Sequence, residues 1–174
     1  SLNDTLIFTT SKCIYCPTQP GMPKSYFSNQ PAMLRAVRND FDAYTQVKAR
    51  LNGLKTQGHD TSKIDIRTAG GTWSSYLHDY QLHFIKSIYY ALNQGPGDIE
   101  ELAVANQNIS QAKLEDLMLE NQTANSRCVG LWVETRPDWV TKEEILRLRD
   151  YGVTGIELGV QTTNDKVNEF SERG

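Results

Sequence analysis

Two cysteines near the start of the chain, Cys13 and Cys16, stand three positions apart in the segment Cys-Ile-Tyr-Cys. Two thiolates at this spacing can bind one metal ion, close a redox-active disulfide, or supply part of an iron–sulfur cluster. The redox alternative requires the second cysteine in the first turn of a helix, and Pro17 and Pro20 disfavour a helix there. The pair therefore indicates metal or cluster chemistry more strongly than disulfide chemistry.

The other candidate metal ligands do not complete a site with this pair. A structural zinc site needs four ligands, and the sequence has no second Cys-x-x-Cys and no His-x-x-x-His. Cys128 stands at the start of a predicted strand, roughly 20 Å from the far end of that strand. We expect Cys128 to be a core thiol, and the scattered His59, His78 and His83 to be surface or helix-face residues.

A glycine pair follows one of the predicted strands. Gly70 and Gly71 come directly after the segment 64–67, and Thr72 adds a hydroxyl beside them. Because glycine has no side chain, a ligand can approach the backbone closely at such a pair. An ordinary turn is the alternative for this motif.

Three further polar residues could bind a small ligand. Glu134 and Gln161 stand at the ends of two later strands, where they could contact the hydroxyls or the amine of a polar cofactor. Hydrated side chains at the rim are the alternative for both. Arg173 could pair with a carboxylate or lie on a solvated helix face.

Alternating strands and helices position these residues. The predicted strands are 6–8, 64–67, 128–133 and 155–160. The predicted helices are a pattern from 32 to 54, then 79–93, a partly exposed polar stretch within 98–125, 141–151 with a Thr141–Glu144 capping box, and 164–173. The prolines of residues 16–29 predict an irregular loop. This order predicts parallel βα units, and in a (β/α) barrel the strand ends face one mouth, so the cysteine pair and the three later clusters should converge.

Composition excludes several classes of protein. The chain has 174 residues, of which 39% are hydrophobic and 22% charged, as expected for a globular chain. The net charge of −3 argues against a strongly basic nucleic-acid binder, although a local basic groove remains compatible. Three cysteines do not make a disulfide framework, and no apolar run is long enough to span a membrane. Without a signal-peptide pattern, we expect a reducing, cytoplasmic setting.

Five segments resemble one known family. CIYCPTQPGMPKSY, NQPAMLRAVRNDFDAY, GGTW, RCVGLWVETRPDW and IELGVQT closely resemble the radical SAM domain of the catalytic subunit of Elongator, especially its bacterial and archaeal relatives. The resemblance runs from residue 13 to residue 174. It implies a partial (β/α) barrel that holds a 4Fe–4S cluster and S-adenosylmethionine and generates a 5′-deoxyadenosyl radical.

The resemblance also implies a role for individual residues. Cys13 and Cys16 match the last two cluster ligands. The other matches are positions that contact S-adenosylmethionine: Gly70, Gly71 and Thr72 for the methionine amine, Glu134 and Gln161 for the amine and ribose, and Arg173 for the carboxylate.

The implied reaction is the addition of a carboxymethyl group to C5 of the wobble uridine of tRNA. Acetyl-CoA supplies the acetyl unit in a separate acetyltransferase domain, which we expect to be absent from these residues. The implied partners are tRNA and either a second copy or an Elongator-like assembly, with no membrane. Five basic residues could present a phosphate-binding face or an ordinary solvated helix face: Lys24, Arg35, Arg38, Lys48 and Arg50.

The sequence departs from the family pattern in three ways. The family has a third cluster cysteine upstream, where this chain has Thr9 or Asn3. We favour residues missing near Thr9, and the alternative is a cluster-less, non-catalytic scaffold that binds tRNA or a partner. Arg67 interrupts a strand that is apolar in the family, which predicts imperfect packing. Residues 1–174 are expected to form one incomplete radical SAM domain, with the first strand and cluster loop in 1–31 and the βα units in 32–174.

Overall fold

The computed structural model describes Ile14 and residues 16–22 and 25–172. Within these residues the chain forms three strands and seven α-helices. Their bounds are α1 Pro31–Arg38, α2 Ala43–Thr56, β1 Lys63–Arg67, α3 His78–Gln94, α4 Leu102–Gln111, α5 Leu114–Asn121, β2 Arg127–Thr135, α6 Lys142–Asp150, β3 Gly155–Leu158 and α7 Asp165–Phe170. Short 3-10 turns occupy Trp73–Ser75 and Pro137–Trp139.

The three strands form one parallel sheet in the order β1-β2-β3. In the register, Arg67 of β1 lies beside Trp132 of β2, and Glu134 of β2 lies beside Glu157 of β3. The predicted parallel α/β arrangement is therefore confirmed. The predicted strand 6–8 lies outside the described residues, and closure of the sheet into a partial barrel stays a prediction.

The sheet has one apolar and one polar face. Along β2, Leu131, Val133 and Thr135 are buried, whereas Trp132 and Glu134 alternate with them and face the other side. The buried face packs on α3, as the period-two pattern requires. The core is formed by these residues: Leu51, Ile64, Trp73, Ile85, Ile88, Tyr89, Leu92, Leu114, Leu117, Leu131, Val133, Leu148 and Tyr151.

The helical pattern predicted from residue 32 divides into α1 and α2. Asp40 and Phe41 adopt left-handed backbone conformations, with φ of 49° and 59°, and this interrupts the helix. Asp42 then caps α2, because its Oδ1 accepts from Thr45 N at 2.7 Å. The break changes the direction of the chain, so residues of α1 and α2 do not share one helix face.

The remaining helices follow the prediction closely. The polar stretch forms α4 and α5, and the predicted helix 79–93 is α3. Thr141 Oγ1 accepts from Glu144 N at 3.2 Å, which confirms half of the capping box. The other half is wrong, because Thr141 N donates to Trp139 O and the Glu144 carboxylate pairs with Arg147. Within the described part of the chain, no helix is long and apolar enough to cross a membrane.

Cys128 packs against the core, as predicted. Its side chain is half-buried beside the hydrophobic cluster, and burial raises the pKa of its thiol. The S–H group lies 3.4 Å from Gly130 O as a weak hydrogen bond. This thiol is at the opposite end of β2 from Glu134 and does not contribute to a site at the strand ends.

Candidate functional site

The glycine pair forms an open turn after β1. Thr68 follows the strand and donates its N–H and Oγ1 to Trp132 O at 3.0 and 3.1 Å, which fixes the exit of β1. Gly70 and Gly71 then adopt φ of 153° and 94°, values that L side chains rarely adopt. A Cβ at Gly70 would meet only Tyr76 Oη, at 3.6 Å. Backbone conformation, and not crowding, therefore requires glycine at this position.

Aromatic residues under the turn hold it on α3. Tyr76 Oη donates to Gly70 O at 2.7 Å, and burial raises the pKa of Tyr76, so this donor stays protonated. Gln81 is fully buried, and its Nε2 donates to Trp73 O at 3.0 Å and Tyr76 O at 3.1 Å. Trp73 also packs edge-on against Phe84, with ring centroids 5.5 Å apart. The turn is thus anchored before any ligand binds.

Thr72 begins the 3-10 turn that follows the glycines. Its carbonyl oxygen accepts from Ser75 N at 3.1 Å and from Ser75 Oγ at 2.6 Å. The neighbouring Ser74 Oγ accepts from the buried Thr135 Oγ1 at 2.9 Å. This bond joins the glycine turn to the end of β2, which carries Glu134.

Glu134 meets a tyrosine from the loop that follows the cysteine pair, residues 16–30, which we call the cysteine loop. Tyr26 Oη donates to Glu134 Oε2 at 2.8 Å, and the same phenol lies close to the backbone of Gly70. Burial, followed by the hydrogen bond to Glu134 and its charge, raises the pKa of Tyr26 to about 12. Tyr26 is therefore protonated at neutral pH and acts as a donor. Among the described residues Tyr26 is the one hydrogen-bond partner of the Glu134 carboxylate, which leaves acceptor positions open.

The described residues of this loop, 16–22 and 25–30, are irregular, as the prolines predict, and hydrogen bonds join its two described parts. Gln19 Nε2 donates to Ser28 Oγ at 2.9 Å, and Ser28 N donates to Gln19 Oε1 at 2.9 Å. Ser25 N donates to Pro17 O at 2.9 Å from a left-handed conformation with φ of 79°. These bonds fix the residue that follows Ser25, so the loop presents the Tyr26 hydroxyl to the strand ends.

Cys16 lies half-buried at the start of this loop. The backbone N–H of Ile14 donates to Ser171 O at 3.1 Å, so the loop also touches the C-terminal end of α7. Three predicted site residues lie outside the described residues: Cys13, Lys24 and Arg173. The chain around the cysteine pair therefore contacts the last described βα unit through the backbone of Ile14, and β2 through Tyr26.

Gln161 is not joined to this group. It lies exposed in the turn after β3 with a left-handed φ of 63°, and the turn is closed by Thr162 N donating to Val160 O at 2.7 Å. Within the described residues no hydrogen bond links Gln161 to Glu134 or to Gly70. The structure thus brings together the cysteine loop, the glycine turn and Glu134, and leaves Gln161 on the rim.

The predicted basic face must be corrected at Lys48. Lys48 is 2% exposed, and its Nζ donates to Gly95 O at 2.8 Å; burial lowers its pKa. It therefore cannot contact a phosphate. Arg35, Arg38 and Arg50 are exposed, and Arg35 and Arg50 line one cavity of about 370 Å³ beside β1.

Arg67 lies exposed on the polar face of the sheet and does not disturb the core between the sheet and α3. Its effect on packing within a barrel stays a prediction. Its Nη1 pairs with Glu157 Oε1 at 3.0 Å, and its guanidinium lies 5.1 Å from the centre of the Trp132 ring. A Cβ at Gly155 would clash with the Trp132 ring, so glycine lets this ring pack against β3. The alternation along β1 keeps Arg67 outside the core.

The described residues fit the predicted ligands as follows. The half-buried Glu134 carboxylate has open acceptor positions beside an open glycine turn, which suits the amine or hydroxyl groups of S-adenosylmethionine. The described part of the chain contains no group of three His, Cys, Asp or Glu side chains that could hold a metal ion. It supplies one cysteine, Cys16, in the predicted cluster loop, and the partner cysteine lies outside it.

Two residues of this group, Tyr26 and Tyr76, were not predicted from the sequence. Tyr26 ends the proline-rich loop as an aromatic residue in a polar segment, and Tyr76 follows the glycine pair closely. An aromatic residue with a polar tip, next to each candidate motif, was the available signal. Their partners lie far away in the sequence, so the contact itself was not predictable.

Comparisons with known proteins give consistent relatives, although no family model matches the chain. The chain is 42% identical over 163 residues to a tRNA uridine(34) acetyltransferase of Dehalococcoides mccartyi, covering 94% of this chain and 32% of that protein. It is 30% identical over 172 residues to Elongator complex protein 3 of Danio rerio, covering 96% of this chain and 29% of that protein.

A solved structure agrees with these relatives. The structure of the archaeal Methanocaldococcus infernus Elp3 with an N-terminal deletion matches with a TM-score of 0.67 and 34% identity, over 80% of this chain and 29% of that one. The chain thus spans about a third of the length of the relatives it matches. It is a homologue of a segment of the tRNA uridine(34) acetyltransferases and Elongator complex protein 3, the family that its motifs indicated.

Proposed function

We propose that this chain is the S-adenosylmethionine-binding part of a radical SAM enzyme that converts the wobble uridine of tRNA to 5-carboxymethyluridine. One observation carries the proposal: Tyr26 of the cysteine loop, Gly70 after β1 and Glu134 on β2 meet at one edge of the sheet. In parallel α/β sheets, ligands bind at this edge. The names of the relatives supply the substrate class, because they refer to uridine 34 of tRNA and to Elongator.

The proposal gives each site residue a task. Cys13 and Cys16 would supply two of the thiolates that hold a 4Fe–4S cluster, together with a third thiolate from a position upstream. When bound, the cluster supplies the electron that cleaves S-adenosylmethionine. The remaining residues hold that molecule: Gly70, Gly71 and Thr72 at the methionine amine, Glu134 and Gln161 at the amine and ribose, and Arg173 at the carboxylate.

The residues of the site prepare it before the ligand arrives. Tyr76 and Gln81 hold the glycine turn in place, so its backbone does not have to reorganise on binding. Tyr26 keeps its proton at neutral pH and donates to Glu134, which orients the carboxylate. Glu134 then accepts from a hydroxyl or an ammonium group of the ligand.

The remaining steps belong to the longer protein. In this proposal an acetyltransferase domain outside these residues takes the acetyl unit from acetyl-CoA. The exposed Arg35, Arg38 and Arg50 contribute phosphate contacts to tRNA, in a cytoplasmic protein that works as a homodimer or within an Elongator-like assembly.

The test uses the full-length protein, reconstituted with iron and sulfide without oxygen. We expect the absorbance and iron content of a 4Fe–4S cluster, and release of 5′-deoxyadenosine from S-adenosylmethionine. Cys16→Ser should abolish both, whereas Cys128→Ser, which removes a thiol packed on the core, should keep both. A wild-type protein that releases no 5′-deoxyadenosine, or a Cys16→Ser variant that releases as much as wild type, would contradict the proposal.

A non-catalytic scaffold is the second candidate. It is favoured by the threonine at the position of the third cluster cysteine and by Arg35 and Arg50 beside one cavity. In that case tRNA binding should survive Cys13→Ser and Cys16→Ser, and no cluster should form in the wild-type protein. Cluster formation in the wild type would exclude this candidate.

A further inference from the structure

The Glu134 carboxylate is incompletely partnered for a half-buried acid. Buried polar groups in proteins are generally hydrogen-bonded, and a carboxylate offers about four acceptor positions. The described residues supply one donor, the Tyr26 hydroxyl at 2.8 Å from Oε2. Among the described residues no donor reaches Oε1, so this oxygen is available to a hydrogen-bond donor of a ligand.

Tyr26 is held more firmly than an exposed loop residue would be. The Gln19–Ser28 bonds close the loop on one side, and Ser25 N donates to Pro17 O immediately before Tyr26. On the other side, the phenol lies close to the backbone of Gly70. The hydroxyl thus lies between the glycine turn and Glu134, to which it donates.

We propose that Tyr26 is a positioning residue that holds Glu134 Oε2 and leaves Oε1 to accept from a hydroxyl or ammonium group of a small ligand. Through Tyr26, that binding is coupled to the hydrogen bonds that join Ser25 to Pro17 and Ser28 to Gln19. The inference deepens the proposed function and rests on it, because the proposed ligand carries both kinds of donor. No covalent step is involved, since Tyr26 acts only through its hydrogen bond to Glu134.

The test measures binding to the full-length, cluster-reconstituted protein by calorimetry without oxygen. The probe is S-adenosylhomocysteine, which carries the amine and the ribose and is not cleaved. Tyr26→Phe should weaken binding about tenfold, since a hydrogen bond to a charged group is worth roughly that factor. Glu134→Gln should weaken binding by at least as much.

The double variant distinguishes positioning from a separate contact. If Tyr26 acts through Glu134, then Tyr26→Phe should add no further loss in the Glu134→Gln background. Tyr90→Phe is the matched control, because it deletes a tyrosine hydroxyl that donates to Glu100 Oε2 at 2.9 Å, a residue outside the site. The affinity of Tyr90→Phe for S-adenosylhomocysteine should stay within about twofold of wild type, because distant, independent sites affect each other by no more than about that factor.

Hydrogen exchange on the wild-type protein tests the coupling without any variant. Addition of S-adenosylhomocysteine should slow exchange of the amides of Ser25 and Ser28, whose bonds close the loop. Unchanged exchange in this loop, Tyr26→Phe affinity within about twofold of wild type, or fully additive losses in the double variant would each overturn the inference. In those cases wild-type binding itself leaves the proposed function standing, whereas a wild-type protein that does not bind contradicts both.

Discussion

Two tyrosine–glutamate pairs of nearly equal hydrogen-bond length differ in how many further partners the carboxylate has. Tyr26 donates to Glu134 at 2.8 Å, and Tyr90 donates to Glu100 at 2.9 Å. Both carboxylates are half-buried. Glu134 has no second hydrogen-bond partner among the described residues, whereas Glu100 has several.

Both carboxylate oxygens of Glu100 accept hydrogen bonds from other side chains of the protein. Gln94 Nε2 donates to its Oε2 at 3.3 Å, Asn108 Nδ2 donates to its Oε1 at 3.2 Å, and Tyr44 accepts from its backbone N at 3.0 Å. This network, which we call the Glu100 network, joins α2, α3 and α4. A carboxylate that is fully partnered stabilises the fold, while one that keeps open acceptors at the strand ends is suited to a ligand.

The largest expected effect is that one acid, Glu134, controls ligand affinity, whereas the other, Glu100, controls the free energy of unfolding. Glu134→Gln should weaken binding of S-adenosylhomocysteine by tenfold or more and change the free energy of unfolding by less than about 0.5 kcal/mol. Glu100→Gln should keep the affinity and lower the free energy of unfolding by about 1–2 kcal/mol, because donors lose their acceptor. Calorimetry and urea unfolding measure the two quantities. Equal losses of unfolding free energy in Glu134→Gln and Glu100→Gln would show that the two acids do not differ in their structural role.

Tyr44, one of the two tyrosines of the Glu100 network, should contribute mainly to the stability of the fold. Tyr44 is fully buried, donates to Gln94 Oε1 at 2.9 Å and accepts from Glu100 N. Tyr44→Phe leaves both groups unpartnered and should cost about 1–2 kcal/mol of unfolding free energy. In the same urea experiment, Tyr26→Phe should lower the free energy of unfolding by less than Tyr44→Phe does. The reverse order would show that the loop closure is structural.

A third prediction concerns alkaline pH. The pKa of Tyr26 is raised to about 12, above the value of 10.0 in the unfolded chain, so the phenol contributes stability below pH 10 and loses it as pH rises toward 12. The stability difference between wild type and Tyr26→Phe should therefore be constant up to about pH 9 and shrink above pH 10. Lys48, whose pKa burial lowers, has the opposite pH dependence but cancels in this difference. If the stability difference between wild type and Tyr26→Phe instead grew with pH, the raised pKa of Tyr26 would be contradicted.

The smallest effect is expected for the exposed pair at the strand ends. Arg67 and Glu157 are 63% and 49% exposed at their side chains, and such pairs contribute about 0–1 kcal/mol. Arg67→Gln should change the free energy of unfolding by less than about 0.5 kcal/mol at physiological salt. A loss comparable to that of Glu100→Gln would show that charges on this face are structural, and would weaken the contrast between the two regions.

Most of the fold was predictable because each element carries its own signal. The apolar run of β2, the alternation in β1 and the four-residue spacing in α3 identified these elements nearly to the residue. Sequence motifs also identified the family, and the glycine turn needs its residue type for a local reason, its backbone conformation.

Errors occurred where a residue's surroundings come from distant parts of the chain. Lys48 lies four residues after Tyr44 and three before Leu51, so helical periodicity places it on the buried stripe, but its partner Gly95 O is 47 positions away. The break at Asp40 and Phe41 depends on left-handed conformations, which are uncommon for Asp and rarer for a bulky residue such as Phe. Neither the partner of Lys48 nor this break could be predicted from the apolar pattern.

The sequence by itself determined the order of strands and helices, the irregular cysteine loop, the glycine turn and the polar strand ends where a ligand could bind. Only the tertiary structure decided that Tyr26 meets Glu134 across 108 positions and that the Lys48 ammonium meets Gly95 O. The physical reason is that a pattern reports which face of its own element a residue occupies. Which groups meet there, and which acceptors stay open, depends on how separate elements pack.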